Sequence, residues 1–164
     1  MTIRPILRFP DARLRARCAA VTRFDDTLAA LAADLAETMR AAPGIGITAA
    51  HVGALQRLTV IELDGPASTR VYVNPEIEWF SGETRRHVEG SVSMPGLTEE
   101  VERPARVRVG YQSLTGDRLT EEADGLLSVC LQHEIDQLDG IFWIDRLSRL
   151  KRERIVRKFR KLQS

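Results

Sequence analysis

Three features of the 164-residue chain predict an α+β fold. Apolar residues recur at helical spacing in well-separated segments. Short β-like runs lie between those segments. The runs are clustered and do not alternate with helices, which argues against a parallel βαβ sheet. The first helix is expected from about Asp25 to Arg40, with Leu28, Leu31, Leu35 and Met39 on one face and Asp25 or Asp26 at the N-cap. Pro43-Gly44 stops it. The β-like runs are Arg57 to Leu63, Val71 to Ile77 and Arg106 to Gln112, and Thr115-Gly116-Asp117 reads as a hairpin turn. A second helix is expected from about Asp124 to Leu138. Asp124 is placed to cap it, Leu127, Leu131, Ile135 and Leu138 form its core stripe, and Gly140 ends it. A third, basic helix follows from about Ser148 to Leu162.

Composition narrows the function. Apolar residues make up 43% and charged residues 29%, as in a folded domain that buries a core. One domain over 1–164 is expected. Lys plus Arg (24) nearly balances Asp plus Glu (23), so a globally basic, sequence-specific nucleic-acid binder is not expected. No apolar run approaches the roughly 20 residues that span a bilayer. The first residues lack an apolar signal core, and Cys18 and Cys130 are too few for a disulfide framework. A cytoplasmic protein is the expectation, with no membrane partner.

The chemistry concentrates in His133-Glu134-Ile135-Asp136-Gln137 on the second helix. In zinc hydrolases, two His four residues apart on one helical face hold a metal, and the Glu serves as base for its bound water. Here the second position is Gln137. Two other segments accompany it, Gly44-Ile45-Gly46-Ile47-Thr48-Ala49-Ala50-His51 and Glu89-Gly90-Ser91-Val92-Ser93-Met94-Pro95-Gly96. In order and spacing the three resemble the signature motifs of peptide deformylases, G-x-G-L-A-A-x-Q, E-G-C-L-S and Q-H-E-x-D-H-x-x-G. The resemblance runs from about Ile6 to Leu162. It implies antiparallel sheets around a central helix carrying the His-Glu segment, plus a C-terminal helix.

The family removes the formyl group from the N-terminal formyl-Met of nascent chains. A divalent iron or zinc is held by the motif-two Cys and two motif-three His, the motif-three Glu moves the proton, and the motif-one Gln helps bind the oxyanion. By this resemblance Glu134 is the base and His51 stands at the oxyanion position. The metal-ligand positions are Ser91, His133 and Gln137. A serine hydroxyl resists ionisation where a thiol does not, and an amide oxygen is a weak ligand for iron or zinc. The expectation is a badly weakened or absent metal site and impaired or absent deformylase activity. One alternative recruits His51 to rebuild a metal site with His133. Another pairs Ser91 with His133 as in a serine hydrolase, although no acid that would orient the imidazole is evident.

The peptide-binding frame is expected to persist. Gly44, Ile45, Gly46 and Gly90 match segments whose backbone pairs with a peptide strand, and Val92 follows the motif-two ligand position. Leu126, Val129 and Cys130 match the apolar wall of the methionine pocket, and His87 falls in the neighbourhood that lines it. Glu89 and Arg103 resemble a pair that braces motif two. The implied partners are peptide N-termini, formyl-Met peptides among them, bound with turnover or by a metal-free pseudo-deformylase. From Arg146 to Lys161 the chain carries nine Lys or Arg against one acid, Glu153. Ile155 and Phe159, with Leu150 and Leu162, would dock this helix and leave a basic face. By the resemblance, that face could meet the ribosome through phosphates.

Overall fold

The computed structural model describes residues 2–164. Helix α1 (Asp26–Ala41) starts where Asp25 accepts the Leu28 N–H. Strands β1 (Gly46–Thr48), β2 (Leu58–Ile61), β3 (Arg70–Phe80), β6 (Val107–Gln112) and β7 (Arg118–Ala123) form one antiparallel sheet in the order β1-β2-β3-β6-β7. Strands β4 (Thr84–Ser91) and β5 (Met94–Pro104) form a separate antiparallel ribbon. Helix α2 (Gly125–Leu138) and helix α3 (Arg149–Gln163) complete the chain. The α+β arrangement and the three helices agree with the sequence reading.

Strand parity explains how the sheet is covered on both faces. Along β2, Leu58 and Val60 point one way and meet Leu28, Leu31, Leu35 and Met39 of α1 in one apolar cluster. Ile61 points the other way. With Tyr72, Val107 and Val109 it packs against Leu131 and Ile135 of α2. Helix α2 is therefore buried between the main sheet and the ribbon, which is why nearly its whole length is closed to solvent. A third cluster joins Met94 and Val101 of the ribbon to Trp143, Ile155 and Phe159, docking α3.

Several expectations change in detail. Strands β1, β4, β5 and β7 were not anticipated, and β3 runs beyond 71–77. Asp124 takes the N-cap of α2, but its side chain makes no capping hydrogen bond. Leu127 is only partly buried. Ile155 and Phe159, with the partly buried Val156, dock α3; Leu150 and Leu162 are exposed. The expected turn at 115–117 joins β6 to β7, with Gly116 at positive φ and its N–H donated to Ser113.

Helix α2 ends at Gly140, whose φ is +82°; a Cβ there would lie 2.5 Å from the Arg15 carbonyl oxygen. Both the left-handed backbone and the contact with main chain exclude a side chain. Gly140→Ala is expected to lower stability by about 2–4 kcal/mol, read as a lower urea midpoint with an unchanged slope. An unchanged midpoint would refute this account of the helix end.

Candidate functional site

The ribbon, β1 and α2 enclose a cavity of about 430 Å³. Its lining brings together most residues singled out from the sequence: Gly44, Ile45, Gly46, His51, Gly90, Ser91, Val92, Leu126, Val129, Cys130, His133 and Glu134. Ile45 and Leu126 stand exposed at its mouth, whereas His51 and Glu134 are buried at its base. Two predicted residues are not among the lining. His87 has the strand parity of Glu89 but lies two residues before it on β4, outside the lining. Gln137 is buried with its Nε2 donating to the Leu14 carbonyl at 2.6 Å.

Local packing explains the glycines. The Glu134 carboxylate lies against Gly46, where a Cβ would come within 2.9 Å of Oε2. Only a residue without a side chain leaves room for this carboxylate under β1.

A buried charge chain sets the electrostatics. Arg103 donates to both Glu89 oxygens at 2.6 and 2.9 Å and to Asp136 Oδ2 at 2.9 Å. Arg146 completes the chain with donors 2.9 and 2.8 Å from Asp136. Burial pushes the Glu89 carboxyl up, but the hydrogen bonds from His133 and Arg103 outweigh it and hold the group at about 2. Ionised Glu89 accepts from His133 Nδ1 at 2.8 Å, which leaves His133 Nε2 free, 3.8 Å from Glu134 Oε1. Burial disfavours the His133 cation, yet the charges of Glu134 and Glu89 win and raise its pKa. Burial pushes Glu134 up to about 7, and its Oε1 has no hydrogen-bond partner among the described residues. Burial also raises the Cys130 thiol to about 12, so this cysteine is an apolar wall.

At the other side of the cavity, His51 Nδ1 accepts the Thr48 backbone N–H at 2.9 Å. Burial and the nearby His133 lower its pKa to about 3, so the ring is uncharged at neutral pH.

These donors do not suit the family's iron or zinc. Ser91 Oγ accepts the Ser93 N–H at 3.1 Å and keeps its proton near neutral pH. The Gln137 Nε2 donates to Leu14, and its amide oxygen is a weak ligand for iron or zinc. The occupied Nδ1 of His51 places its proton on Nε2, so that nitrogen offers no lone pair to a recruited metal. His133 Nε2 and the orphaned Glu134 oxygen remain. No group of three or more His, Cys, Asp or Glu suited to a metal occurs among the described residues. For the serine-hydrolase alternative, Glu89 supplies the orienting acid that the sequence did not reveal. Ser91 itself makes no hydrogen bond to His133 among the described residues.

Fold and site together define an α+β protein whose buried helix sets a His-Glu pair at the base of a cavity. Residues 3–153 match the polypeptide deformylase family model, and the chain belongs to that family. A peptide deformylase-like protein of Brucella suis is 61% identical over 163 residues, covering 99% of each chain. A second Brucella suis protein, named peptide deformylase, is 44% identical and covers 100% of this chain and 95% of its own. The crystal structure of a peptide deformylase from Legionella pneumophila is 39% identical, with a TM-score of 0.93, covering 99% of this chain and 96% of that one.

Glu134→Gln probes the buried carboxylate. A carboxyl whose folded pKa lies above its free value holds a proton that the unfolded chain releases, so stability falls as pH rises from about 4.5 to about 7. The neutral amide escapes that cost. The substitution is expected to stabilise the protein by roughly 1–3 kcal/mol at pH 8 and by little at pH 5. Equal effects at both pH values in thermal melts would contradict the assignment.

Proposed function

We propose that this member of the deformylase family binds peptide N-termini in the cavity, formyl-Met peptides among them, and that its deformylase turnover is impaired or absent. The observation that carries the reading is the state of the three ligand positions: Ser91 bonded to Ser93, Gln137 bonded to Leu14, and His133, held by Glu89, the one imidazole among them. The recognition frame supports the binding half. Gly44, Gly46 and Gly90 expose backbone beside a half-open apolar pocket walled by Leu126, Val129 and Cys130. The pair of Brucella suis relatives supports the same division, since one organism there has both a deformylase and a deformylase-like protein. Buried, unpaired Cys18 and Cys130 agree with a cytoplasmic setting.

A second contact belongs to this reading. Arg154, Arg157, Lys158, Arg160 and Lys161 are exposed on α3 and form no ion pair among the described residues. Such a face suits the phosphates of ribosomal RNA without reading its sequence.

The test restores the ligands. Wild-type protein and the double variant Ser91→Cys with Gln137→His are purified anaerobically without chelators, then compared for metal content and for formate release from formyl-Met-Ala-Ser. The double variant is expected to hold near-stoichiometric metal and to release formate about 100-fold faster or more, since two good ligands are worth several kcal/mol. Near-stoichiometric metal in the wild type, with formate release matching the double variant, would overturn the reading.

A further inference from the structure

Ser91 closes strand β4, and a two-residue turn leads on to Met94 of β5. Its Oγ accepts the Ser93 backbone N–H at 3.1 Å, which fixes the oxygen at the turn and sets a donor against negative charge developing on it. Among the described residues the Ser91 hydroxyl donates to no acceptor, and the side chain lines the cavity. His133 lines the same cavity and is held from behind. Glu89, two residues before Ser91, is gripped at both oxygens by Arg103 and stays ionised, so it can only accept. Its 2.8 Å contact with His133 Nδ1 is therefore a donation by the ring. The proton of the neutral imidazole sits on Nδ1 and the lone pair on Nε2. Glu134 Oε1, 3.8 Å from Nε2, is too distant to bond it.

A hydroxyl, an imidazole with a free basic nitrogen and a carboxylate that fixes its tautomer thus share one cavity. These are the three roles of a serine hydrolase, whose members are recognised by role and not by sequence position. We propose that Ser91, His133 and Glu89 form a metal-independent nucleophilic centre that hydrolyses small apolar carboxylic esters. Ser91 Oγ attacks the ester carbonyl carbon while His133 Nε2 takes the hydroxyl proton. The bond from carbonyl carbon to the alcohol oxygen breaks, the alcohol leaves with that proton, and an acyl-serine remains. Water attacks the acyl-serine, His133 takes one of its protons, and that proton returns to Ser91 Oγ as the carboxylic acid departs. Ser91 and His133 are not bonded at rest, and such pairs tighten when substrate binds. Esters suit this arrangement better than amides, because an alcohol oxygen leaves readily whereas an amine leaves only once protonated in place. The cavity of about 430 Å³, walled by Leu126, Val129 and Cys130, admits a short acyl chain on an apolar alcohol. This chemistry is independent of peptide binding in the cavity.

Chelator-treated protein is incubated with an alkyl fluorophosphonate, and the adduct is located by peptide mass spectrometry. The adduct is expected on Ser91, absent in Ser91→Ala, and slowed about 100-fold or more in His133→Gln, since a general base supplies a factor of that order. His87→Ala, outside the cavity lining, should label at the wild-type rate. Hydrolysis of p-nitrophenyl butyrate by the same samples should fall in parallel. The position labelled in the wild type decides the case even where a substitution unfolds the chain, which thermal melts reveal. No adduct on Ser91, or one that forms equally fast in folded His133→Gln, overturns the centre. Labelling that appears only when metal is added back overturns its metal independence. An adduct on Ser91 with no ester hydrolysis above that of Ser91→Ala overturns the ester assignment.

Discussion

The buried chain of charges Glu89–Arg103–Asp136–Arg146 holds the two halves of the site in register. Glu89 sits on β4, two residues before Ser91. Asp136 sits on α2, one turn beyond His133, and Arg103 spans them from β5. Arg103 and Glu89 are each only 4% exposed at the side chain, so neither charge can be left alone without a cost of several kcal/mol. The same Glu89 carboxylate fixes the His133 ring. Ribbon, helix and imidazole are thus tied by one set of ions.

Close backbone contacts add to these ties. The scaffold residues that shape the cavity remain: Gly46 under the Glu134 carboxylate, Gly90 against the Leu97 carbonyl, and Gly140 against Arg15. The changes gather at groups that would face a metal or an oxyanion. With Ser91 and Gln137 in place, no thiolate or second imidazole is supplied to a cation beside Glu134. Burial raises Glu134 to about 7. His51 adjusts in the opposite sense and stays uncharged.

How far the sequence could be read follows from the same physics. Helices α1 and α3 were legible because a capping residue precedes a period of 3.6, and Asp25 and Ser148 do cap them. The ribbon was not. Strand β4 carries Thr84, Arg85, Arg86, Val88 and Gly90 exposed, so no alternation of apolar residues announces it, and Pro95 and Gly96 make the start of β5 look like a loop. Strand β7 is largely exposed for the same reason, and β1 has only three residues. The resemblance placed His87 in the neighbourhood of the pocket, and the structure ends the lining of β4 at Val88.

The site was legible as three motifs but not as chemistry. Residue types at Ser91 and Gln137 already argued against a metal, because hydroxyl and amide donors are poor wherever they point. The role of His51 was different. Its type allowed a ligand, a base or a donor, and the choice depends on which ring nitrogen meets the Thr48 amide. That contact exists only because β1 stops and the 3-10 turn begins at this point, bringing the N–H of one residue onto the side chain three residues later. A histidine's function is set by the partner of its other nitrogen. Here that partner is the main chain, which neither titrates nor moves away, so the imidazole faces the cavity as a donor with one fixed sense.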